Sequence, residues 1–139
     1  MRTVTTSSEA QTIALGAELG AKLNPGSVIA LEGSLGSGKT TLVKGIARSL
    51  GITEAVTSPT FTLIQQYDGT LQLFHMDLYR IDSLEEFELL GAEEFLYGEG
   101  VTVIEWSGKI SQLLPASTIC ITCSIEPDQS RRITIGEAP

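Results

Sequence analysis

No apolar run in the chain is longer than a β-strand, which excludes a membrane-spanning helix. The opening residues, Met1-Arg2-Thr3-Val4-Thr5-Thr6, hold no continuous apolar core, so no secretory leader is expected and a cytoplasmic location is the default. Positive charge is scarce. Nine Lys and Arg stand against seventeen Asp and Glu, for a net charge of −8. Such a chain repels phosphate backbones at long range, which argues against stand-alone nucleic-acid binding. It leaves room for a local basic pocket or a basic protein partner. Cysteine occurs twice, at Cys120 and Cys123. The stretch from Thr118 to Ile125 is β-branched and apolar and reads as a strand, on which residues three apart point to opposite faces. With one histidine in the chain, neither a disulfide nor a four-ligand zinc site is expected.

What is present describes a folded chain. Hydrophobic residues make up 42%, with 14 glycines and 5 prolines, and 139 residues suffice for one domain, residues 1–139. Ser7 and Ser8 can cap a first helix whose apolar stripe is Ala10, Ile13, Ala14, Ala17, Leu19 and Leu23, stopped by Asn24-Pro25-Gly26. Val28 to Leu31 is a continuous apolar run, as in a strand buried on both faces. A helix from Lys39 to Leu50 follows, closed by Gly51. Thr60 to Tyr67 and Thr70 to Met76 are strand-like and flank a hairpin signal, Asp68-Gly69. Ser83-Leu84-Glu85-Glu86 is a capping box opening an acidic helix to Leu90. Val101 to Ile104 forms another buried strand ending at Glu105-Trp106, and strands over Thr118 to Ile125 and Arg131 to Ile135 join through Pro127-Asp128. The pattern predicts an α/β fold with a mixed central β-sheet flanked by a few helices.

Between the first buried strand and its helix lies Gly33-Ser34-Leu35-Gly36-Ser37-Gly38-Lys39-Thr40, which satisfies G-x-x-x-x-G-K-[ST] at every defined position. Glycines let the backbone turn tightly and aim successive N–H groups at an anion, and the helix start adds its positive dipole end. Lys39 supplies a full charge for β- and γ-phosphates, the Thr40 hydroxyl suits Mg²⁺, and Thr41 can donate to the α-phosphate. The strand–loop–helix context is the one this P-loop geometry requires. The fold expected is therefore P-loop NTPase-like.

Guanine readers use Asn-Lys-x-Asp, but the chain's one asparagine, Asn24, precedes the loop and is followed by proline, so adenine is the expected base. Small-molecule kinases seal their acceptor with extra basic residues, and here these are scattered; a compact ATPase or ATP-driven switch fits better. Ser58-Pro59-Thr60-Phe61 stands where a switch loop would sit, or is an ordinary loop entering a strand. His75, Asp77 and Tyr79 share one face of an extended chain, as a site or as a polar strand end; Arg80 follows them. Glu105, at the tip of a buried strand, is placed like the acid that orders water around Mg²⁺, or is a solvated strand end. Trp106 on its own reads as core.

Taken together, Gly33 to Thr41, Ser58-Pro59-Thr60-Phe61, His75-x-Asp77-x-Tyr79-Arg80 and Glu105-Trp106 resemble the TsaE family, bacterial ATPases of tRNA threonylcarbamoyladenosine biosynthesis. The likeness covers essentially the whole chain. It implies a cytoplasmic, Mg²⁺-dependent ATPase that binds ATP and ADP and works with two larger proteins, TsaD and TsaB. Those partners transfer threonylcarbamoyl to N6 of adenosine 37 in tRNAs reading codons that start with adenine. The ATPase resets or regulates them, without carrying the transfer, and meets tRNA only through them. By motif, Gly33, Gly36, Ser37, Gly38, Lys39, Thr40, Thr41 and Trp106 would bind the nucleotide. Thr40, Glu105 and Asp77 would serve the metal, and Lys39, Asp77 and Glu105 catalysis. Ser58, Thr60, His75, Tyr79 and Arg80 would form the switch. Ser34 stands where the family often has Asp, a change that spares Lys39 and Thr40. A free-standing kinase and a non-hydrolysing ATP-bound adaptor are the alternatives.

Overall fold

Four parallel strands at the centre of one sheet all end on the same edge, and that edge carries the site. The computed structural model describes residues 2–34, 36–57, 59 and 64–137. Its strands are β1 (Arg2–Thr6), β2 (Val28–Gly33), β3 (Ile64–Tyr67), β4 (Leu73–Asp77), β5 (Val101–Glu105), β6 (Ile119–Ile125) and β7 (Arg131–Glu137), in the order β1-β7-β6-β2-β5-β4-β3. The strands β6, β2, β5 and β4 run parallel, while β7, β1 and β3 add antiparallel margins. The helices are α1 (Glu9–Gly20), α2 (Lys39–Ser49) and α3 (Leu84–Leu89), with 3₁₀ helices over Ala92–Tyr97 and Ser107–Leu113. The expected α/β architecture with a mixed sheet is what forms. No helix of the described residues is long and apolar enough to cross a membrane.

The sheet separates two apolar clusters. Ile29 and Leu31 of β2, Val101 and Val103 of β5, and Leu73 of β4 pack with Leu42, Val43 and Ile46 of α2. On the opposite face Val28, Met76 and Ile104 pack with Phe87 of α3, Leu96 and Ile110. Because side chains alternate along a strand, Asp77, His75 and Glu105 have the parity of Leu73 and Val103 and so lie on the α2 face. Cys120 and Cys123 fall on opposite faces of β6 by the same rule, and both thiols are free.

Several elements differ from expectation. The segment Arg2–Thr6 forms an edge strand paired with β7, with Val4 opposite Ile133. Its Thr-Val-Thr alternation was the signal for a half-exposed strand. On α1 the apolar stripe is rotated: Ala10 and Ala14 are exposed, and the buried residues are Thr12, Leu15, Gly16 and Gly20. The cause is contact between helix backbones. A Cβ on Gly16 would fall 2.3 Å from the Leu42 carbonyl oxygen, and one on Gly45 would fall 2.1 Å from that of Ile13. Missing side chains, rather than apolar ones, mark the contact face. Helix starts follow the sequence closely: Ser8 accepts from Gln11 N–H and Ser83 from Glu86 N–H. The second hairpin closes at the expected place, with Glu126 N–H donating to the Ser130 carbonyl. Of the predicted strand over 60–67, residues 64–67 are confirmed and 60–63 lie outside the described residues.

Gly45→Ala should separate two opposing tendencies. Alanine favours an isolated helix by about 1 kcal/mol over glycine. The overlap with Ile13 is main chain on main chain and can be relieved only by moving α1 away from α2. Overpacking of this kind costs about 1–3 kcal/mol and here also loosens the buried contacts of Leu15, so the net effect is destabilising. The expected outcome in urea titration is a lower midpoint at unchanged slope; an equal or higher midpoint would contradict the close helix contact.

Candidate functional site

The loop begins where β2 ends. Gly33 has φ +152, and a Cβ there would lie 2.5 Å from the Cys123 carbonyl oxygen, so the loop leaves the sheet at a point where no side chain fits. Gly38, at φ +100, caps α2 in a conformation that L side chains avoid, and Lys39 and Thr40 then form the helix's first turn. Gly36, Gly38, Lys39, Thr40 and Thr41 border a cavity of about 890 Å³. Gly33 and Ser37, expected to touch a nucleotide, do not line it. Gly33 is spent on the exit from the strand. Ser37 is buried, with an Oγ that has no hydrogen-bond partner among the described residues.

Sheet register brings the other residues to the loop. In the parallel pairs Leu31 lies opposite Glu105 and Glu105 opposite Asp77. Lys39 Nζ reaches Glu105 Oε1 at 3.2 Å, and His75 Nε2 lies 2.7 Å from Glu105 Oε2. Glu105 is 4% exposed, Lys39 8% and His75 0%. Thus Glu105 is no solvated strand end, and His75 is a buried supporting group outside the cavity wall. Burial pushes the Glu105 carboxyl up, but the hydrogen bond from His75 and the positive charge of Lys39 outweigh it, so its pKa lies below the ordinary value of 4.5. The neighbouring Cys123 thiol is pushed up to about 11, chiefly by burial, and is correspondingly unreactive.

Asp77, Tyr79 and Arg80 also border the cavity. Asp77 closes β4, so Tyr79 is not on an extended strand with it; instead Tyr79 N–H donates to Asp77 Oδ1 at 3.0 Å. Lys109 Nζ ties this turn down by donating to the carbonyls of Tyr79 and Ile81. Trp106 is not core. It is 38% exposed and lies against Tyr79 with ring centroids 4.8 Å apart, and Lys39 Nζ sits 5.3 Å from its ring centroid. Its backbone is left-handed at φ 60, and Glu32 Oε1 braces the turn by accepting from Ser107 N–H and Oγ. Ser58 and Thr60 lie outside the described residues.

Sequence reasoning missed the second wall, made of Thr6, Ser7 and Thr12 from the first strand and helix and Gln129 and Arg131 from the last hairpin. The hydroxyls of Thr6 and Thr12 are 2.7 Å apart, and Thr12 and Arg131 flank Gly38. Only recognition of β1 and its pairing with β7 could have brought these ends to the loop. Among the described residues no group of three or more His, Cys, Asp or Glu could enclose a metal. Thr40, Asp77 and Glu105 offer a few hard oxygens beside a phosphate-type loop, which fits Mg²⁺, an ion usually bound by one or two carboxylates together with phosphates and water.

The family model described as "Threonylcarbamoyl adenosine biosynthesis protein TsaE" matches residues 6–133. A tRNA threonylcarbamoyladenosine biosynthesis protein TsaE of Treponema pallidum is 47% identical over 136 residues, 98% of this chain and 100% of the relative. The protein of the same name in Bacillus subtilis is 49% identical over 111 residues, 79% of this chain and 69% of the relative. The crystal structure of Bacillus subtilis YdiB superposes with a TM-score of 0.85 at 37% identity, covering 99% of this chain and 86% of that one.

The depressed Glu105 pKa has a consequence for acid stability. A group whose folded pKa is lowered contributes stability above its unfolded pKa and loses it as pH falls through the folded value. Wild type should therefore lose more stability than Glu105→Gln as pH falls through the ordinary carboxylate value of 4.5 and on through the lowered folded value, with the gap narrowing as pH falls. Parallel acid-side profiles for the two proteins would show that the ion pair does not contribute.

Proposed function

The chain belongs to the TsaE family, and from that premise we propose that it is a Mg²⁺-dependent ATPase of tRNA N6-threonylcarbamoyladenosine biosynthesis that resets or regulates a TsaD–TsaB transferase. The observation that carries the ATPase reading is the meeting of Lys39 and Glu105, 3.2 Å apart beside the loop-bordered cavity. Each is the group that phosphoryl chemistry needs, and each holds the other until phosphate arrives.

Loop N–H groups and the α2 dipole receive the phosphates, and Lys39 exchanges a carboxylate for the β/γ-phosphate oxygens. That exchange frees Glu105 Oε1. Thr40, Asp77 and Glu105 would then hold Mg²⁺, which when bound neutralises charge on the phosphates. With His75 still bonded to Oε2, Glu105 keeps its negative charge at neutral pH and can order Mg²⁺ and its waters. Tyr79, Arg80 and Trp106 border the same cavity and are assigned to sensing its contents, with adenine as the base. The acidic chain suits a protein that reaches tRNA only through its partners.

Saturating ADP should stabilise wild type by about 2–4 kcal/mol, seen as a raised melting temperature, with a smaller rise for GDP. Lys39→Ala should fold but melt lower without ligand, because Glu105 loses a buried partner, and should lose most of the ADP shift measured from its own unliganded melting temperature. Equal shifts for variant and wild type would remove the phosphate assignment, and equal shifts for ADP and GDP the base assignment.

Turnover separates binding from chemistry. In a mixture with TsaD, TsaB and tRNA, Glu105→Gln should bind ATP nearly as well as wild type while hydrolysis falls about 10²-fold. Threonylcarbamoyladenosine formed over many rounds should fall with it. Wild-type hydrolysis by the variant would make Glu105 a bystander; unchanged modification with hydrolysis abolished would uncouple this ATPase from the transferase.

A further inference from the structure

Beneath Glu105 lies a polar side chain that is not part of the loop-bordered cavity. His75 is fully buried, and the one hydrogen bond of its ring among the described residues goes to Glu105. Its Nδ1 has no partner among the described residues. On its own face of the sheet His75 lies between Val103, opposite on β5, and Gln65, opposite on β3, with buried Leu73 two residues away on β4. An aliphatic side chain would suit that setting better, since a buried polar atom without a partner costs free energy. This position nevertheless holds the chain's one histidine. What the ring does can be read from the carboxylate it touches. An ionised carboxylate cannot donate, so Nε2–H is the donor and Oε2 is committed to it. The other oxygen, Oε1, is the one that Lys39 holds at 3.2 Å.

We propose that His75 is a positioning residue that divides the labour of the two Glu105 oxygens. It pins Oε2 into the sheet, so that Oε1 alone faces the cavity and is the oxygen vacated when phosphates draw Lys39 away. For its consequence in turnover the proposal rests on the ATPase reading; for its geometry it does not. Without the imidazole, Oε2 would be buried with no partner, and the carboxylate would turn to share both oxygens with Lys39 or with water. Outer-shell groups that orient a ligand in this way are commonly worth about 10- to 100-fold in activity.

Two readouts test it. In ligand-free wild type, labelled imidazole should show a slowly exchanging, downfield Nε2-bound proton that moves in Glu105→Gln. In hydrolysis assays with the TsaD–TsaB mixture, His75→Leu should lower kcat about 10- to 100-fold with KM changed less than about 3-fold. His75→Gln, whose side-chain amide N–H can reach Oε2, should recover most of that loss. In a Glu105→Gln background His75→Leu should cost less than about 2-fold, because the two act as one unit. An imidazole proton indifferent to Glu105, no rescue by glutamine, or full additivity of the two substitutions would each overturn the proposal. A wild type without nucleotide-dependent activity would overturn the ATPase reading instead, and the imidazole signal would still decide whether His75 holds Glu105.

Discussion

The parallel pairing of β2 with β5 sets everything else at the site. With Leu31 opposite Glu105, the strand that launches the loop and the strand that ends in the carboxylate finish at the same height. A shift of one residue would turn Glu105 to the other face of the sheet, among Met76, Ile104 and Phe87, and away from α2. The apolar parity of the strands enforces the register. Val101 and Val103 must meet the α2 side while Ile104 meets α3, and Glu105 is carried to its place by that requirement.

Around this register the protein keeps a buried polar group whose pairing is set against the cost of its desolvation. Removing Lys39, Glu105 and His75 from water is costly, and a buried ion pair repays that cost only with good geometry and further hydrogen bonds. Here one carboxylate is shared between an ammonium and an imidazole, while Ser37 Oγ and His75 Nδ1 have no partner among the described residues. The left-handed Trp106 adds local strain that the Glu32–Ser107 bonds hold in place. The stability comes from elsewhere, chiefly from Leu31, Leu42, Ile46 and the other wholly buried aliphatics beneath the loop. The arrangement is that of a site kept ready for a ligand.

Much of this was legible in the residues, for reasons of distance along the chain. The loop, its strand and its helix are contiguous, and capping serines and hairpin turns act over a few residues, so local pattern sufficed. Glu105 and Asp77 could be placed at strand tips by the same logic. What pattern could not supply was the pairing of Glu105 with both Lys39 and His75, across separations that only the sheet order closes. The α1 contact face was misjudged because its information lies in absent side chains, Gly16 and Gly45, which an apolar stripe does not register. The first strand went unread because its signal is five residues long and half exposed, and with it went one wall of the cavity.

Trp106 is the chain's one tryptophan, and its indole lies over the ammonium group of Lys39 and against Tyr79. Excited at wavelengths that its three tyrosines do not absorb, the protein therefore emits from a single indole. A nearby ammonium alters the excited state of an indole, and any phosphate that draws Lys39 away changes that environment directly. On the proposed nucleotide reading, that one indole would report the filling of the loop with no label attached and no residue replaced.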